Sequence, residues 1–319
     1  MRVLIVRTSS LGDLIHMLPA ITDIYKNIAG ARIDWVVEEA FAEIPAWHPG
    51  VNDVIQVAHR RWRHAWWTRE VRAQRHAVVQ RIAQVPYDLV LDMQALLKSL
   101  PLVRAASGVR HGLDWKSARE PLCSLFYDVR HRIPFWQPAV KRQRDLAAAA
   151  FGYSFEGAPD FGLAQRFVRR ISTPEYAVIM PSASRDDKLW PVSNWHGVFD
   201  VLQARGQKLV LLAGSDREAI RAKELISGRS DAIVQSRSSL TDLAQLLANS
   251  RVMVGLDSGL THLAAAVGTD TIGLYKASTP VRTPVTGSGK TFSLGDRGKE
   301  PGLDIVLDAV AQVFGHNGT

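Results

Sequence analysis

Short apolar runs alternate with longer amphipathic stretches along the whole chain. This pattern is typical of α/β proteins with parallel sheets, in which each strand is followed by a helix that returns the chain. In the first half, the runs predict strands at 2–7, 32–38, 53–57, 88–92 and 109–113. Helices are predicted at 13–28, 69–84, 96–106 and 138–151. The first half is therefore expected to form a doubly wound domain.

The same alternation starts again in the second half. Strands are predicted at 175–181, 208–214, 232–235, 251–257 and 271–275, and helices at 192–205, 215–228, 240–249, 259–267 and 303–314. The intervening stretch, 152–174, is rich in Gly, Pro and Ser, so we expect the domain boundary there. The predicted division is a first domain at 1–160, a second at 175–302, and a segment at 303–319 whose helix is a candidate to pack back on the first domain.

The composition is that of a globular protein, with 46% hydrophobic and 22% charged residues. Cys123 is the only cysteine, so no intramolecular disulfide can form, which suits a cytoplasmic protein. The net charge of +8 is concentrated in residues 59–81, which hold seven arginines and one acid, Glu70. Three tryptophans lie among these arginines, which predicts an anionic partner, either stacked bases or a lipid interface. The alternative is a solvated helix face with its tryptophans turned inward.

The first strand runs directly into the stretch TSSLGDLIH at 8–16. A strand, a turn of small residues and a helix usually mark a nucleotide site, but this turn has only Gly12 where a dinucleotide motif needs three glycines. It also carries Asp13, whose carboxylate would repel a phosphate. Asp13 and Asp257 both follow predicted strands, and ligands of open α/β sheets bind at the carboxyl ends of strands. We therefore expect both acids at a cleft between the two domains.

The second domain contains a better anion site, in GLDSGLTHLAAAVG at 255–268. Residues 258–261 turn into an Ala-rich helix, whose first N–H groups and dipole favour an anion. Gly259 lets a phosphate approach the backbone closely. The alternative is that Ser258 only caps the helix, Asp257 satisfies the turn and His262 packs on the sheet.

Two other loops of the second domain carry candidate ligand-binding groups. Lys188, in SASRDDKLWP, is placed to pair with a diphosphate, and Glu218, in LAGSDRE, is placed to accept hydrogen bonds from a ribose. The alternatives are a solvated charged loop and an ordinary first-turn acid. The stretch GSGKT at 287–291 is not expected to be a P-loop, because Pro284 stands where its first glycine belongs. No metal-ligand spacing is present, so neither a metal nor a cofactor is predicted.

Several stretches together resemble glycosyltransferase family 9, the lipopolysaccharide heptosyltransferases. They are MRVLIVRTSSLGDLIHMLPAITD, IDWVVEEAFAEIPAWHP, RRWRHAWW, DWKSAREPLCSLFY and RDDKLWP…GLDSGLTHLAAA. The resemblance implies the GT-B fold, an α/β architecture of two Rossmann-like doubly wound domains facing across a cleft. It implies inverting transfer of L-glycero-D-manno-heptose from ADP-heptose to Kdo of the lipopolysaccharide inner core (Kdo2-lipid A). It also implies a cytoplasmic enzyme, peripheral on the cytoplasmic face of the inner membrane, with no nucleic-acid partner. The oligomeric state is left open.

The resemblance also assigns roles. Asp13 matches the general base, and Lys188, with the 258–262 loop, stabilises the leaving diphosphate. The donor-binding set is Ser184, Lys188, Glu218, Asp257, Ser258, Gly259, Leu260, Thr261 and His262. The acceptor-binding set is Ser10, Gly12, Arg60, Arg61, Arg63 and Arg119. Ala183 stands where the family would have a hydroxyl residue, for which Ser182 or Ser184 is the substitute, and adenine contacts stay unassigned.

Two other functions compete with this one. A family member that adds a second heptose to the first uses the same donor, but RRWRHAWW and DWKSAREP favour the Kdo acceptor. A non-catalytic lipid A-binding or anion-binding module would use the Arg/Trp stretch alone.

Overall fold

The computed structural model describes residues 1–171, 173, 175–182, 186–235 and 237–315. The chain divides into two compact units, Met1–Gly162 and Leu163–Thr319. The division falls inside the stretch 152–174, whose Gly, Pro and Ser content predicts a boundary. Across the described residues, no helix combines the length and the apolar character that crossing a bilayer requires.

The first unit is built on a six-stranded parallel sheet with the order β3-β2-β1-β4-β5-β6. Its strands are β1 (Arg2–Val6), β2 (Arg32–Glu38), β3 (Val51–Val57), β4 (Leu89–Asp92), β5 (Val109–Leu113) and β6 (Val129–His131). Its helices are α1 (Leu11–Asn27), α2 (Glu43–Trp47), α3 (His59–Trp62), α4 (Arg69–Ala83), α5 (Leu100–Ala105) and α6 (Ala139–Phe151). Short 3₁₀ helices cover Glu39–Phe41, Leu97–Ser99 and Pro121–Phe126. The strand order reverses between β1 and β4, so the loops after these two strands meet at the switch point where such sheets bind ligands.

The second unit repeats this plan with the strand order β12-β11-β10-β7-β8-β9, again all parallel. Its strands are β7 (Tyr176–Met180), β8 (Lys208–Leu212), β9 (Ala232–Gln235), β10 (Val252–Leu256), β11 (Thr271–Tyr275) and β12 (Thr291–Gly295). Its helices are α7 (Val192–Ala204), α8 (Asp216–Leu225), α9 (Leu240–Asn249), α10 (Gly259–Ala266) and α11 (Leu303–Phe314), with a 3₁₀ turn at Asp186–Lys188. Here the switch point lies between β7 and β10, and the loops after these strands carry Lys188 and Asp257.

The last helix, α11, belongs to the core of the second unit. Its apolar face, including Val306, Val310 and Val313, is buried in the same cluster as Trp195 and Phe199 of α7. The described part of this segment therefore packs in the core of the second unit, whereas the sequence made it a candidate to pack on the first domain. The period of the apolar residues predicts the helix and its buried face, but it does not say which core that face meets.

The stretch GSGKT also has an order opposite to that of a P-loop. It precedes a strand, β12, whereas a P-loop follows one. A Cβ atom built on Gly287 would lie 2.0 Å from the carbonyl oxygen of Ala265 in α10. Glycine is needed here because the chain passes against the backbone of α10.

Candidate active site

Asp13 is the third residue of α1, directly after the loop at the switch point of the first unit. The backbone N–H and the hydroxyl group of Ser10 each donate a hydrogen bond to Oδ2 of Asp13, both at 2.9 Å. This is the pattern of a capping box, and an acid in the first turn is also favoured by the helix dipole. Gly12 lies beside Asp13 in the same turn. The local sequence thus fixes one carboxylate oxygen and leaves 43% of the Asp13 side chain exposed.

The second carboxylate oxygen of Asp13 faces a buried cation. Nη2 of Arg7 lies 2.8 Å from Oδ1 of Asp13, and the guanidinium also donates to the carbonyl oxygen of Met93. Burial acts to raise the pKa of Asp13, but Arg7, the two hydrogen bonds from Ser10 and His16 together hold that pKa below its usual value. Asp13 is therefore a carboxylate at neutral pH.

A single side-chain amide holds the loop before α1. Oε1 of Gln94, in the loop after β4, accepts from the backbone N–H groups of Thr8 and Ser9 at 2.7 and 3.3 Å. Nε2 of Gln94 donates to the carbonyl oxygen of Ser9 at 3.3 Å. Gln94 is held in turn by Asp92, whose Oδ1 accepts its backbone N–H at 2.8 Å. Asp92 and Gln94, the polar residues at the end of the apolar run of β4, are the signal from which this contact could have been predicted. Neither was singled out in the sequence.

Asp92 is fully buried beneath this loop. Burial raises its pKa, although the hydroxyl groups of Tyr127 and Ser99 donate to Oδ2 at 2.8 and 2.9 Å. These bonds compensate a polar group that would otherwise be costly in the core. The Asp92 network therefore forms a rigid base under the loop of Asp13.

A cavity of about 420 Å³ beside this loop collects positive charge; we call it the cationic cavity. It is lined by the cations Arg60, Arg63, Arg75 and Lys98, by the aromatic residues Trp62 and Trp66, and by Ser9 and Glu38, among others. Nζ of Lys98 lies 3.3 Å from Oγ of Ser9, which joins the cavity to the loop that precedes Asp13. Four cations around one cavity suit phosphate and carboxylate groups.

The structure separates the predicted acceptor residues. Arg60 and Arg63 line the cationic cavity, whereas Arg61 forms a two-bond pair with Glu39 at 3.2 and 3.1 Å. Arg119 is exposed and is not among the lining residues. Arg75 and Lys98 were absent from the predicted acceptor set. Arg75 lies in the 59–81 stretch, for which a solvated helix face was the alternative to an anionic partner, and Lys98 lies in a separate stretch of the sequence.

The cationic environment also affects a histidine of this cavity. Burial, followed by the charges of Lys98 and Arg75, lowers the pKa of His59 to about 4. His59 is therefore neutral at physiological pH and adds no charge of its own.

Asp257 is the centre of the corresponding site in the second unit. Nζ of Lys188 donates to Oδ2 of Asp257 at 2.9 Å and to its carbonyl oxygen at 3.0 Å. Oγ of Ser278 donates to Oδ2 at 2.6 Å, and Nε2 of His262 lies 3.3 Å from Oδ1. Burial acts to raise the pKa of Asp257, but His262, Ser278 and Lys188 together bring it far below its usual value. Lys188 was predicted from one motif and Asp257 and His262 from another, and the fold brings all three into one cluster.

The N-terminus of α10 lies next to this cluster. Ser258 is its N-cap, and Oγ of Ser258 accepts from the N–H of Thr261 at 3.4 Å. The hydroxyl group of Thr261 donates to the carbonyl oxygen of Leu256 at 2.7 Å, and its side chain is fully buried. Thr261 can therefore serve a ligand only through the turn it stabilises. Gly259 and Leu260, the first two residues of the helix, are partly exposed.

Glu218 has a structural role, for which an ordinary first-turn acid was the alternative to binding a ribose. Oε2 of Glu218 accepts from the N–H groups of Gly214 and Ser215 at 2.6 and 3.1 Å, which completes a capping box at the start of α8. Its contacts do not join it to the Asp257 cluster. Ser184 and Ala183 lie outside the described residues. Ser182 is described: its Oγ is buried at the end of β7 and has no hydrogen-bond partner among the described residues.

Within the described ranges, no group of three or more His, Cys, Asp or Glu side chains is placed to hold a metal ion. The positive charge at both switch points is supplied by Arg and Lys side chains and by helix N-termini.

Comparison with known proteins agrees with this arrangement over most of the chain. A family model described as glycosyltransferase family 9 (heptosyltransferase) matches residues 75–307. Lipopolysaccharide heptosyltransferase 1 of Escherichia coli K12 is 45% identical over 284 residues, covering 88% of this chain and 89% of that protein. The solved structure of E. coli heptosyltransferase WaaC with ADP has a TM-score of 0.91 and 40% identity, covering 98% of this chain and 100% of its own.

A second structure, E. coli heptosyltransferase WaaC with ADP-2-deoxy-2-fluoro heptose, has a TM-score of 0.85 and 42% identity, with both chains covered completely. These matches confirm the predicted α/β fold, the Rossmann-like GT-B architecture of these enzymes. The chain therefore belongs to glycosyltransferase family 9, the heptosyltransferases, and is a glycosyltransferase.

Proposed function

We propose that this enzyme transfers L-glycero-D-manno-heptose from ADP-heptose to a Kdo hydroxyl group of the lipopolysaccharide inner core, with inversion at the anomeric carbon. The observation that carries the proposal is the pairing of two different chemistries at two switch points. The first unit offers a carboxylate beside a cationic cavity, and the second offers an ammonium group beside a helix N-terminus. The 45% identity to a protein named lipopolysaccharide heptosyltransferase 1 supports the same activity.

In this proposal the second unit holds the donor. Lys188 and the N-terminus of α10 bind the diphosphate, because an ammonium group and free N–H groups both stabilise phosphate oxygens. Asp257 orients Lys188 through the 2.9 Å contact, and the buried hydroxyl group of Ser182 is a further donor toward a phosphate. The two solved E. coli relatives hold ADP and ADP-2-deoxy-2-fluoro heptose, which supports this ligand class. Glu218 retains one carboxylate oxygen, Oε1, for a ribose hydroxyl group.

The first unit, on this proposal, holds the acceptor. The phosphates and Kdo carboxylates bind in the cationic cavity, where Arg60, Arg63, Arg75 and Lys98 supply the charge. Lys98 contacts Ser9, four residues before Asp13, so a sugar bound at these cations lies near the exposed part of that carboxylate.

Chemically, the step is a single displacement. The Kdo oxygen forms a bond to the anomeric carbon as the bond from that carbon to the β-phosphate oxygen breaks, and the electron pair leaves on ADP. The hydroxyl proton passes to Asp13. A low pKa at Asp13 is compatible with this role, because the attacking oxygen becomes strongly acidic as its new bond forms. Lys188 and the α10 N-terminus stabilise the negative charge developing on the diphosphate.

The decisive experiment measures ADP release from ADP-heptose with Kdo2-lipid A, with the same acceptor already heptosylated, and with no acceptor, all in EDTA. Release that requires Kdo2-lipid A supports the proposal. Release with the heptosylated acceptor alone assigns the enzyme to the next heptose addition, and acceptor-independent binding without release in any arm favours an anion-binding module.

The base is tested by Asp13→Asn, which preserves the shape of the side chain. We expect kcat to fall about 10²- to 10⁴-fold while ADP affinity is unchanged. The matched control is Asp53→Asn in β3, whose partly exposed carboxylate pairs with Arg81 at the surface of the same unit. Unchanged turnover in Asp13→Asn contradicts the assignment of the base.

A further inference from the structure

One imidazole lies among the cations of the cationic cavity. His59, the first residue of α3, lines this cavity of about 420 Å³. Its ring packs edge to face on Trp62, with the ring centroids 5.5 Å apart and the planes at 88°. Its backbone N–H donates to Oε2 of Glu38 at 3.1 Å. The main chain and the ring are both held, so the fold sets the position of the imidazole in the cavity.

The ring of His59 keeps an unused capacity for hydrogen bonding. Nε2 is buried and has no hydrogen-bond partner among the described residues. A neutral imidazole offers one N–H donor and one acceptor nitrogen, and both nitrogens become donors once it is protonated. Because buried polar atoms are nearly always satisfied, an unpartnered nitrogen on a residue that lines a cavity indicates a group that serves a ligand.

The charges around this imidazole oppose its protonation. Burial, followed by the charges of Lys98 and Arg75, lowers the pKa of His59 to about 4. Two arginines of the same short segment also line the cavity. Among the described residues that line it, Glu38 is the one acid, and its two oxygens already accept the N–H groups of His59 and Arg60. Without an anion in the cavity, His59 is therefore neutral at physiological pH.

An anionic group in the cavity acts in the opposite direction. Its charge offsets the charges of Lys98 and Arg75, which disfavour the imidazolium, and attracts a proton to the ring directly. A hydrogen bond from an imidazolium to a phosphate or carboxylate oxygen is also about twice as strong as a neutral one. The protonation state of His59 thus depends on what occupies the cavity.

We propose that His59 takes up a proton when an anionic group binds in the cationic cavity, and so supplies a further cation that exists only in the complex. The proton comes from the solvent and adds to a ring nitrogen, and no bond of the ligand is broken. The inference rests on the proposed function for one point, the identity of the anion as a phosphate or Kdo carboxylate of the acceptor. Such a residue selects for charge, because a neutral sugar induces no protonation and gains nothing from it.

The proposal fixes the direction of a pH effect. His59 is neutral above its low pKa in the free protein, and the bound anion raises that pKa. Linkage is reciprocal, so the protonated protein binds the anion more tightly by the same factor as the anion favours the proton. Affinity for the anion should therefore increase as the pH falls through the raised pKa, and should stay constant well above it.

The test uses inorganic sulfate, which remains a dianion across the pH range of a histidine and so adds no proton equilibrium of its own. The full-length protein is titrated with sulfate at about pH 5 and about pH 8, at constant ionic strength. The imidazole Cε1–H NMR signal of His59 reports its protonation, and the indole N–H signal of Trp66, which lines the same cavity, reports occupancy. The signal of His76, exposed in α4 and outside the lining, is the control. The variant is His59→Asn, whose amide forms hydrogen bonds but takes up no proton.

In the unmodified protein at about pH 5, sulfate should move the His59 signal toward the imidazolium position and leave that of His76 unchanged. The Kd of sulfate should be about tenfold lower at the acidic pH in the unmodified protein and nearly equal at the two pH values in His59→Asn. A His59 signal that sulfate does not move, the same pH dependence in both proteins, or a Trp66 signal that sulfate does not perturb overturns the inference. None of these readouts involves turnover, so a failure of the proposed function is seen separately, as absence of ADP release with Kdo2-lipid A.

Discussion

The guanidinium Nη2 of Arg7 lies 2.8 Å from Oδ1 of Asp13, and both residues flank the loop that connects β1 to α1. The carboxylate faces a fixed cation on one side and the hydroxyl and N–H groups of Ser10 on the other. Its negative charge is thus stabilised before any substrate proton arrives. This relationship sets both the orientation of the proposed base and the pH range in which it is ionised.

The first prediction concerns the pH dependence of turnover. Because the folded protein holds the pKa of Asp13 below the usual value of an aspartate, Asp13 favours the folded state above that usual value, and this contribution is lost as the pH falls through the lowered pKa. Activity should therefore persist to pH values below those typical of a carboxylate base. Arg7→Leu removes the lowering charge and leaves the burial, so its acidic limb should move to higher pH. Profiles of kcat/KM for both proteins check this, and superimposable acidic limbs would contradict it.

A second prediction concerns the Gln94 clamp. Gln94→Ala removes the acceptor of two backbone N–H groups and the donor to Ser9, so the loop before α1 should lose its fixed position. We expect kcat to fall about tenfold or more, as small misplacements of a catalytic group do. The KM for ADP-heptose should stay constant, because Lys188 and the other residues proposed to bind the donor belong to the second unit. A parallel rise in that KM would argue for a general loss of structure.

The third prediction separates the cation of the donor site from ordinary surface charge. Lys188→Met should raise the Kd of ADP about tenfold or more, because a charge-assisted phosphate contact is lost. It also leaves the partly buried Asp257 with Ser278 and His262 only, which should lower the melting temperature. Lys223→Met, on the exposed side of α8, is the control and should change neither quantity. Calorimetric titration with ADP alone makes the comparison independent of the acceptor.

The fourth prediction tests the cations that line the cationic cavity but were absent from the predicted acceptor set. Arg75→Gln and Lys98→Gln should each raise the KM for Kdo2-lipid A several-fold, since each removes one contact to an anionic group. Neither substitution should make that KM depend more steeply on salt. Arg69→Gln, six residues before Arg75 in α4 and outside the lining of the cavity, should leave that KM unchanged. Equal effects of all three substitutions would indicate a diffuse field rather than a defined site.

The sequence predicts the strands that are buried on both faces. Val3–Val6 of β1 are completely buried, so their unbroken apolar run is visible without a structure. It does not predict β6, a strand of three residues in which Val129 is the only apolar residue and both Val129 and Arg130 are exposed. Nor does it predict α3, a single turn in which only Trp62 is buried, because four residues are too few for a helical period.

For the candidate sites, prediction from the sequence is limited because some of their residues lie far apart along the chain and only the fold brings them together. Lys188, Asp257 and His262 were each found from a local motif, and the strand order then brings them together. Lys98 had no motif of its own, and Arg75 was one of seven arginines in the 59–81 stretch, because the role of each depends on a cavity formed by α3, α4 and the loop after β4. The capping contacts of Asp13 and Glu218 were readable from the Ser-x-x-acid spacing, and they show that a residue of a candidate site can also hold its own helix together.

The ion pair of Asp257 with Lys188 has a consequence for turnover. A carboxylate at 2.9 Å is a permanent intramolecular competitor for the ammonium charge, so a diphosphate gains only the difference between its own attraction and a share of that pair. On the proposed function, this counter-ion lowers the affinity of Lys188 for ADP and pairs with the lysine again when the nucleotide leaves. The contact that orients Lys188 in the proposed donor site would then also favour release of the product.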